Sequence, residues 1–401
     1  MMNFPGVIAG DEAELAKLDL EKRGHVDGHA PGVLGKALNA YAAAGIRSDH
    51  EALTVEEGRE RLRAGMWLLV REASMARNLR ALLPLVQELG TSRIAFCTDD
   101  RDPEDIAENG HINGMVREAV AFGIAPEDAI VLASLNTALW HGLDQLGAIA
   151  PGYQADVLLL PDLERFEPSV VLKRGREVGE VPHPEVPEWV KQSVRIRPIS
   201  SADFRMPWSE GDARVIGLVP DQIVTESLVE SPTVADGLLV ADPARDLVKI
   251  AVVERHLGTG RIGRGLVHGS GLTRGALAST VAHDAHNIVV IGVSDEDMAV
   301  AVSRLAEIGG GIVAVEAGTI RAELPLAVAG LLADAPLDEV IERSLACNDA
   351  ARELGWSGAT PFLTLAFLAL SVIPSLKITD RGLVDVNRFE LVPLAVDAGV
   401  G

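Results

Sequence analysis

Cysteine is nearly absent from this chain: Cys97 and Cys347 are the two in 401 residues. Two thiols cannot build a disulfide scaffold, and they suit a reducing compartment, so a cytoplasmic location is expected. Positive charge is scarce as well. Lys and Arg number 36 against 58 Asp and Glu, a net charge of −22. Like-charge repulsion then opposes approach to nucleic acid or to an anionic membrane, and neither is an expected partner. Long apolar runs are missing too. The longest, 361–374, contains Thr364 and Ser371 and falls short of the roughly 20 residues a bilayer-spanning helix needs. The start, Met1-Met2-Asn3-Phe4-Pro5, has no basic segment followed by an apolar one, as a secretion signal would. No repeat of 20–50 residues and no low-complexity tract is visible.

What is present reads as globular. The chain is 48% hydrophobic and 23% charged, and it is long enough for two or three domains with their own cores. Up to about residue 136 the pattern alternates strand and helix: strand 24–29, helix 35–44, strand 46–51, then a helix opened by the capping box Thr54-Val55-Glu56-Glu57. Residues 66–71 form a nearly continuous apolar run, expected of a strand buried on both faces. A helix over 76–88, a strand over 93–98, and helices over 115–122 and 126–135 follow. That makes four βα units. Beyond Asn136, turn chemistry feeds strand 157–160 and a hairpin over 170–178, and 182–187 reads as a proline-rich linker. Further on, strands are expected at 247–253, 287–292 and 312–316. Ser294 should cap a helix stopped by Gly309-Gly310-Gly311, and another helix spans 337–354.

The chemistry concentrates at the ends of the first strands. Asp27-Gly28-His29-Ala30-Pro31-Gly32, Ser48-Asp49-His50-Glu51, Arg71-Glu72-Ala73-Ser74 and Cys97-Thr98-Asp99-Asp100 each close a short apolar run and precede a helix. A β/α barrel gathers ligands in this way at the carboxyl ends of its strands. His29, His50 and Asp99 are a donor set suited to divalent metals. One Asp-x-His alone would mean little, since most histidines lie in cores or on surfaces. A recurrent polar set at one structural station would leave charged groups crowded without compensation unless something bound there.

The same residues resemble the adenine deaminase branch of the amidohydrolase superfamily. The similarity runs in order through MNFPGV (2–7), DGHAPG (27–32), LNAYAAAGIRSDHE (38–51), VREAS (70–74) and FCTDDRDP (96–103). It continues through GAIAPGYQAD (147–156), VVERH (252–256), VAHDAHNIVVIG (281–292), AELPLAVAGL (322–331) and PFLTLAFLAL (361–370). The resemblance implies an α/β chain in three parts. Residues 1–145 would be the second half of a metal-dependent (β/α)8 barrel, 146–190 accessory β-sandwich strands and a linker, and 191–401 a C-terminal α+β domain. It implies hydrolysis of adenine to hypoxanthine and ammonia at a binuclear site holding manganese or iron, with zinc possible. His29 and His50 would be ligands on the fifth and sixth barrel strands, and Asp99 on the eighth would contact metal and shuttle a proton. Water is too weak a nucleophile to attack C6 of adenine at neutral pH, and metal binding lowers its pKa by about 8 units in the best-known zinc case. Glu51 would either protonate a purine ring nitrogen or orient His50, and the two readings stand equal. Arg71 and Glu72 are substrate-contact candidates, with a structural ion pair as the alternative. His283 and His286, from His283-Asp284-Ala285-His286-Asn287, would contribute substrate contacts from a loop of the second domain. A homo-oligomer is a further possibility.

Other residues have plainer readings. His25 reads as a surface residue, Cys97 as a small buried side chain, Asp156 as fixing a turn, and Asp100 as pairing with Arg101 or ordering its loop. Gly263-Arg264-Gly265 is too loose for a phosphate loop.

The chain also departs from the family pattern. The family carries a His-x-His pair on the first barrel strand and a bridging carboxylate on the fourth, and this sequence has no counterpart of either. Three remaining ligands should hold two metals poorly. The expectation is that an N-terminal half-chain supplies the rest and that the chain alone turns over negligibly. The alternative is a non-catalytic remnant or interaction subunit. Another purine or cyclic-amide hydrolase of the superfamily would share the metal logic but explain the second domain less well.

Overall fold

Short apolar runs separated by helices place parallel strands side by side in the first part of the chain. The protein is described here by a computed structural model covering residues 1–20, 25–179, 185–191, 193–220 and 222–396. Position 24, where the first strand was expected to begin, and 182–184 of the proline-rich linker lie outside these residues. The chain divides into two compact units, Met1–Pro182 and His183–Gly401.

In the first unit, strands β1 (Ser48–Asp49), β2 (Trp67–Arg71) and β3 (Ile94–Cys97) form a parallel sheet in that order. A parallel bridge between Val26 and Ile46 adds a fourth segment at its edge. The expected strand over 24–29 is thus reduced to one bridge. Gly28 explains the close approach there, because a Cβ on it would sit 2.4 Å from the Ser48 carbonyl oxygen. Helices Gly35–Ala43, Val55–Arg63 and Leu79–Leu89 connect the strands, and Pro103–Asn109, Ile112–Phe122 and Pro126–Ala133 follow β3. Thr54 accepts from the Glu57 amide as the capping box requires. The helix expected from 76 starts later, at Leu79, because Glu72 and Arg77 first pair in a bridge. The one expected to 135 breaks at Ser134, and Leu135–Trp140 forms a separate helix.

Leu68, Val70, Ile94 and Phe96 pack one sheet face against Leu82, Leu85, Met115 and Leu132 of the helices. On the opposite face, Trp67 and Leu69 are only half-buried, so β2 is not closed in on both sides as its apolar run suggested. Among the described residues the sheet is open rather than a closed barrel. Strands β4 (Val157–Leu159), β5 (Val170–Lys173) and β6 (Arg176–Glu177) make a separate antiparallel sheet.

In the second unit the strands are, in chain order, β7 (Met206–Pro207), β8 (Ala213–Leu218), β9 (Thr225–Glu230), β10 (Val234–Ala235), β11 (Leu238–Leu239), β12 (Leu247–Val253), β13 (Ile262–His268), β14 (Ala276–Ser279), β15 (Ile288–Gly292), β16 (Gly311–Glu316) and β17 (Thr319–Pro325). Eight of them form one sheet, ordered β17-β16-β14-β15-β12-β13-β8-β9. The period-2 pattern of β12 sorts its two faces. Val248, Ile250 and Val252 join Val340, Cys347 and Leu365 of helices Leu337–Glu353 and Pro361–Leu368. Ala251 and Val253 join Met298, Val302 and Leu305 of helix Asp295–Glu307. The result is helix, sheet, helix in three layers. Strands β18 (Leu376–Thr379), β19 (Gly382–Asp385) and β20 (Glu390–Val392) form a further antiparallel sheet. The glycines of Gly263-Arg264-Gly265 lie inside β13, where Gly263 permits contact with the Thr379 carbonyl.

Candidate metal centre

His29 lies just past the Val26 bridge, and its backbone amide donates to the Tyr41 hydroxyl at 3.0 Å. The next amide, of Ala30, donates to Asp49 Oδ1 at 2.8 Å. Asp49 and Arg61 are both completely buried, paired through Nε at 2.8 Å, and Arg61 also donates to the carbonyls of Ala30 and Val33. This brace fixes the loop carrying His29 against the strand end carrying His50 and Glu51.

The two imidazole rings stand 5.7 Å apart. His50 Nδ1 lies 3.0 Å from Asp27 Oδ2, and Asp27 also accepts from the Ser48 hydroxyl. His29 Nδ1 lies 3.2 Å from Glu51 Oε1, and His50 Nε2 lies 3.4 Å from the same oxygen. One atom from each of His29, His50 and Glu51 can be chosen so that all lie within 4.8 Å of one another, a spacing suited to one cation. His29 Nε2 is buried with no hydrogen-bond partner among the described residues. An imidazole nitrogen left unsatisfied while its other nitrogen is fixed by a carboxylate is the usual arrangement of a metal-binding histidine. The donor set therefore fits a divalent cation.

Arg71 ties the remaining acids to this group. Its guanidinium pairs with Glu51 and, through Nη2, with Asp99 Oδ2 and Asp100 Oδ2, both at 2.9 Å. Asp99 has φ of 54°, in the left-handed region, and its side chain is 39% exposed. Burial, with Asp100 alongside, raises the Asp99 carboxyl above its ordinary range, although Arg71 opposes this. Burial also works against the charged forms of Glu51 and His50, but their partners prevail. His29 and Arg71 hold Glu51 down at about 2. The Asp27 hydrogen bond and charge, with Glu51 and Asp99, push His50 up to about 9.

His29, His50 and Glu51 thus converge, and Arg71 links Asp99 to them through Glu51. Glu72 does not join them: its carboxylate accepts from the Leu79 amide at 3.0 Å and starts that helix. Asp100 pairs with Arg71 at 2.9 Å, and Arg101 Nε faces Asp105 at 3.4 Å. In the second unit, His283 stacks on Phe367 at 4.8 Å, and His286 Nδ1 accepts from the Ala282 amide at 3.1 Å. His25 is exposed and stacks on Trp140. Asp156 accepts from the Arg174 amide and Gln154, fixing its hairpin. Cys97 is half-buried, and burial pushes its thiol up, away from nucleophilic use. Reading the sequence missed the roles of Asp27, Asp49, Tyr41 and Arg61. The signal for Asp27 was available, two residues before a ligand candidate. Nothing local marks Arg61, which reaches the site loop from a helix.

Comparison with known proteins gives two family matches: the amidohydrolase family over residues 2–178 and the adenine deaminase C-terminal domain over residues 222–390. An adenine deaminase of Desulfatibacillum aliphaticivorans is 48% identical over 401 residues, covering 98% of this chain and 70% of that protein. One from Cereibacter sphaeroides is 48% identical over 395 residues with the same coverage of each. Adenine deaminase 2 of Carboxydothermus hydrogenoformans is 46% identical over 403 residues, covering 99% of this chain and 71% of its own.

Proposed function

This chain belongs to the adenine deaminases of the amidohydrolase family, and from that premise we propose that it hydrolyses adenine to hypoxanthine and ammonia at the His29, His50 and Asp99 cluster. The observation that carries the placement is the unsatisfied, buried Nε2 of His29 beside a second imidazole held by Asp27. A divalent cation, manganese or iron by resemblance, would be held by His29 and His50 and would supply Lewis acidity that brings water into its reactive range near neutral pH.

The chain's own residues divide the remaining work. Asp99 takes the proton of the attacking water and delivers it to the departing ammonia. Its partly exposed side chain suits a group that must take up and release a proton. Glu51 is already engaged by Arg71 and by His29 Nδ1, which favours its orienting role over protonation of the purine ring. Arg71 then acts as the clamp that spaces Glu51 from Asp99 and Asp100. The family's His-x-His pair has no counterpart in these 401 residues, and ligands from outside them would complete the binuclear site.

The test is release of hypoxanthine and ammonia from adenine with added manganese, for this chain alone and mixed with an N-terminal barrel half from a related adenine deaminase. Turnover in the mixture, abolished by His50→Ala, is expected. Robust turnover by the chain alone would overturn the partner requirement. Unchanged turnover in the variant would overturn the assignment of the site.

A further inference from the structure

A cavity of about 680 Å³ opens in the second unit, lined in part by Gln222, Arg352, Trp356, Gly358, Thr360 and Thr364. Its volume falls within the range of small-molecule sites. Three features give it a chemical preference. Trp356 is 5% exposed, and its indole Nε1 is buried without a hydrogen-bond partner among the described residues. A buried donor left unmade costs about 1–3 kcal/mol, so native structures rarely keep one without a use. Gly358 is the neighbour that closes on this nitrogen: an added Cβ there would stand 2.9 Å from Nε1.

The second feature is helix Pro361–Leu368, which begins at the cavity wall. Thr360 is its N-cap and makes no side-chain capping bond, so first-turn amides and the positive end of the helix dipole are available to a negative group. The third is charge. Arg352 contributes a guanidinium, whose neighbours are exposed Asp349 at 2.6 Å and the Ala359 carbonyl at 3.5 Å. An exposed pair of this kind is weak and can be exchanged for a better acceptor.

We infer that this cavity is a binding site for a small oxyanion-bearing ligand of nucleotide size, its anionic group held by the Trp356 indole N–H, the Pro361–Leu368 helix start and Arg352. The shared chemistry is a phosphate or carboxylate group. Phosphate fits best, because it offers acceptors in three directions to three separate donors. The proposal is tested without adenine turnover.

The chain labelled with ¹⁵N-tryptophan carries five indole N–H groups, and Trp356→Phe identifies the Trp356 signal by its loss. Inorganic phosphate, adenosine monophosphate and succinate are titrated separately. The expected result is a saturable shift of the Trp356 signal with at least one of them below about 5 mM, weakened roughly tenfold in Arg352→Gln, the loss of one charge-assisted hydrogen bond. A response to adenosine monophosphate but not to phosphate assigns a whole nucleotide. A response to succinate alone assigns a carboxylate source. Calorimetric titration of Trp356→Phe and Arg352→Gln guards against a spectral artefact, and both should bind weakly while melting like the parent chain. Absence of a saturable response to all three ligands, or parent-like affinity in both variants, overturns the proposal.

Discussion

Asp27 Oδ2 holds His50 Nδ1 at 3.0 Å, joining a carboxylate from the first motif to an imidazole from the second. A carboxylate at that nitrogen fixes the ring and its tautomer, leaving Nε2 to face the cluster. Asp27→Asn keeps the shape but removes the charge. It is expected to weaken manganese binding by about 10–100-fold while leaving the melting temperature nearly unchanged. Metal titration of parent and variant chains checks this, and parent-like affinity would remove Asp27 from the site.

Arg71 and Glu51 are both buried, with side chains 3% and 2% exposed. Removing one partner strands the other charge away from water. Arg71→Met is therefore expected to cost about 3–5 kcal/mol in urea unfolding. Arg71→Met with Glu51→Gln should recover part of that loss. Equal stability of the single and double variants would show that the pair is not coupled.

Lys377 gives the second unit a pH dependence. It is fully buried, donating to the Ile223 and Phe367 carbonyls at 2.7 and 3.0 Å, and burial lowers its pKa from 10.5 to about 7. Between those values the unfolded chain binds the proton and the folded one does not, so stability rises with pH across that window. It is full above the unfolded value and is lost as pH falls toward about 7. The slope cannot exceed about 1.4 kcal/mol per pH unit. Lys377→Met should lose this slope while paying a pH-independent cost for the two stranded carbonyls. Parallel stability profiles for parent and variant between neutral and alkaline pH would refute the shift.

Gly263 lies against the Thr379 carbonyl oxygen, where an added Cβ would come within 1.9 Å. The obstacle is backbone, which cannot rotate aside. Gly263→Ala is expected to destabilise the second unit by about 1–3 kcal/mol, whereas Gly179→Ala, with nothing nearby, should be neutral. Chemical denaturation of the two variants distinguishes them.

Elements whose signals are local were readable in advance. Thr54 and Ser294 cap helices at the expected positions, and β12 occupies 247–253 as its apolar run indicated. Boundaries set by distant groups were not. The strand expected over 24–29 shrinks to one bridge at Val26, and the helix expected from 76 starts at Leu79, because pairing at Ile46 and between Glu72 and Arg77 decides them. Within the site, sequence named His29, His50, Asp99, Glu51 and Arg71, since each follows or closes a short apolar run. It passed over Arg61, which lies on the helix after its site strand and braces the loop by reaching back 31 residues to Ala30.

Sequence by itself determined the family, the strand-end motifs that carry imidazole and carboxylate side chains, and the alternation that sorts β12 between two helical layers. The family follows from motifs shared in order with known adenine deaminases, and the other two from residue type and periodicity along the chain. Only the tertiary structure decided that Asp27 orients His50, that Arg71 links Glu51 to Asp99 and Asp100, and that Trp356 keeps an unsatisfied donor beside Gly358. Partner choice among charged and polar groups depends on distances across the fold, and no spacing in the chain encodes them.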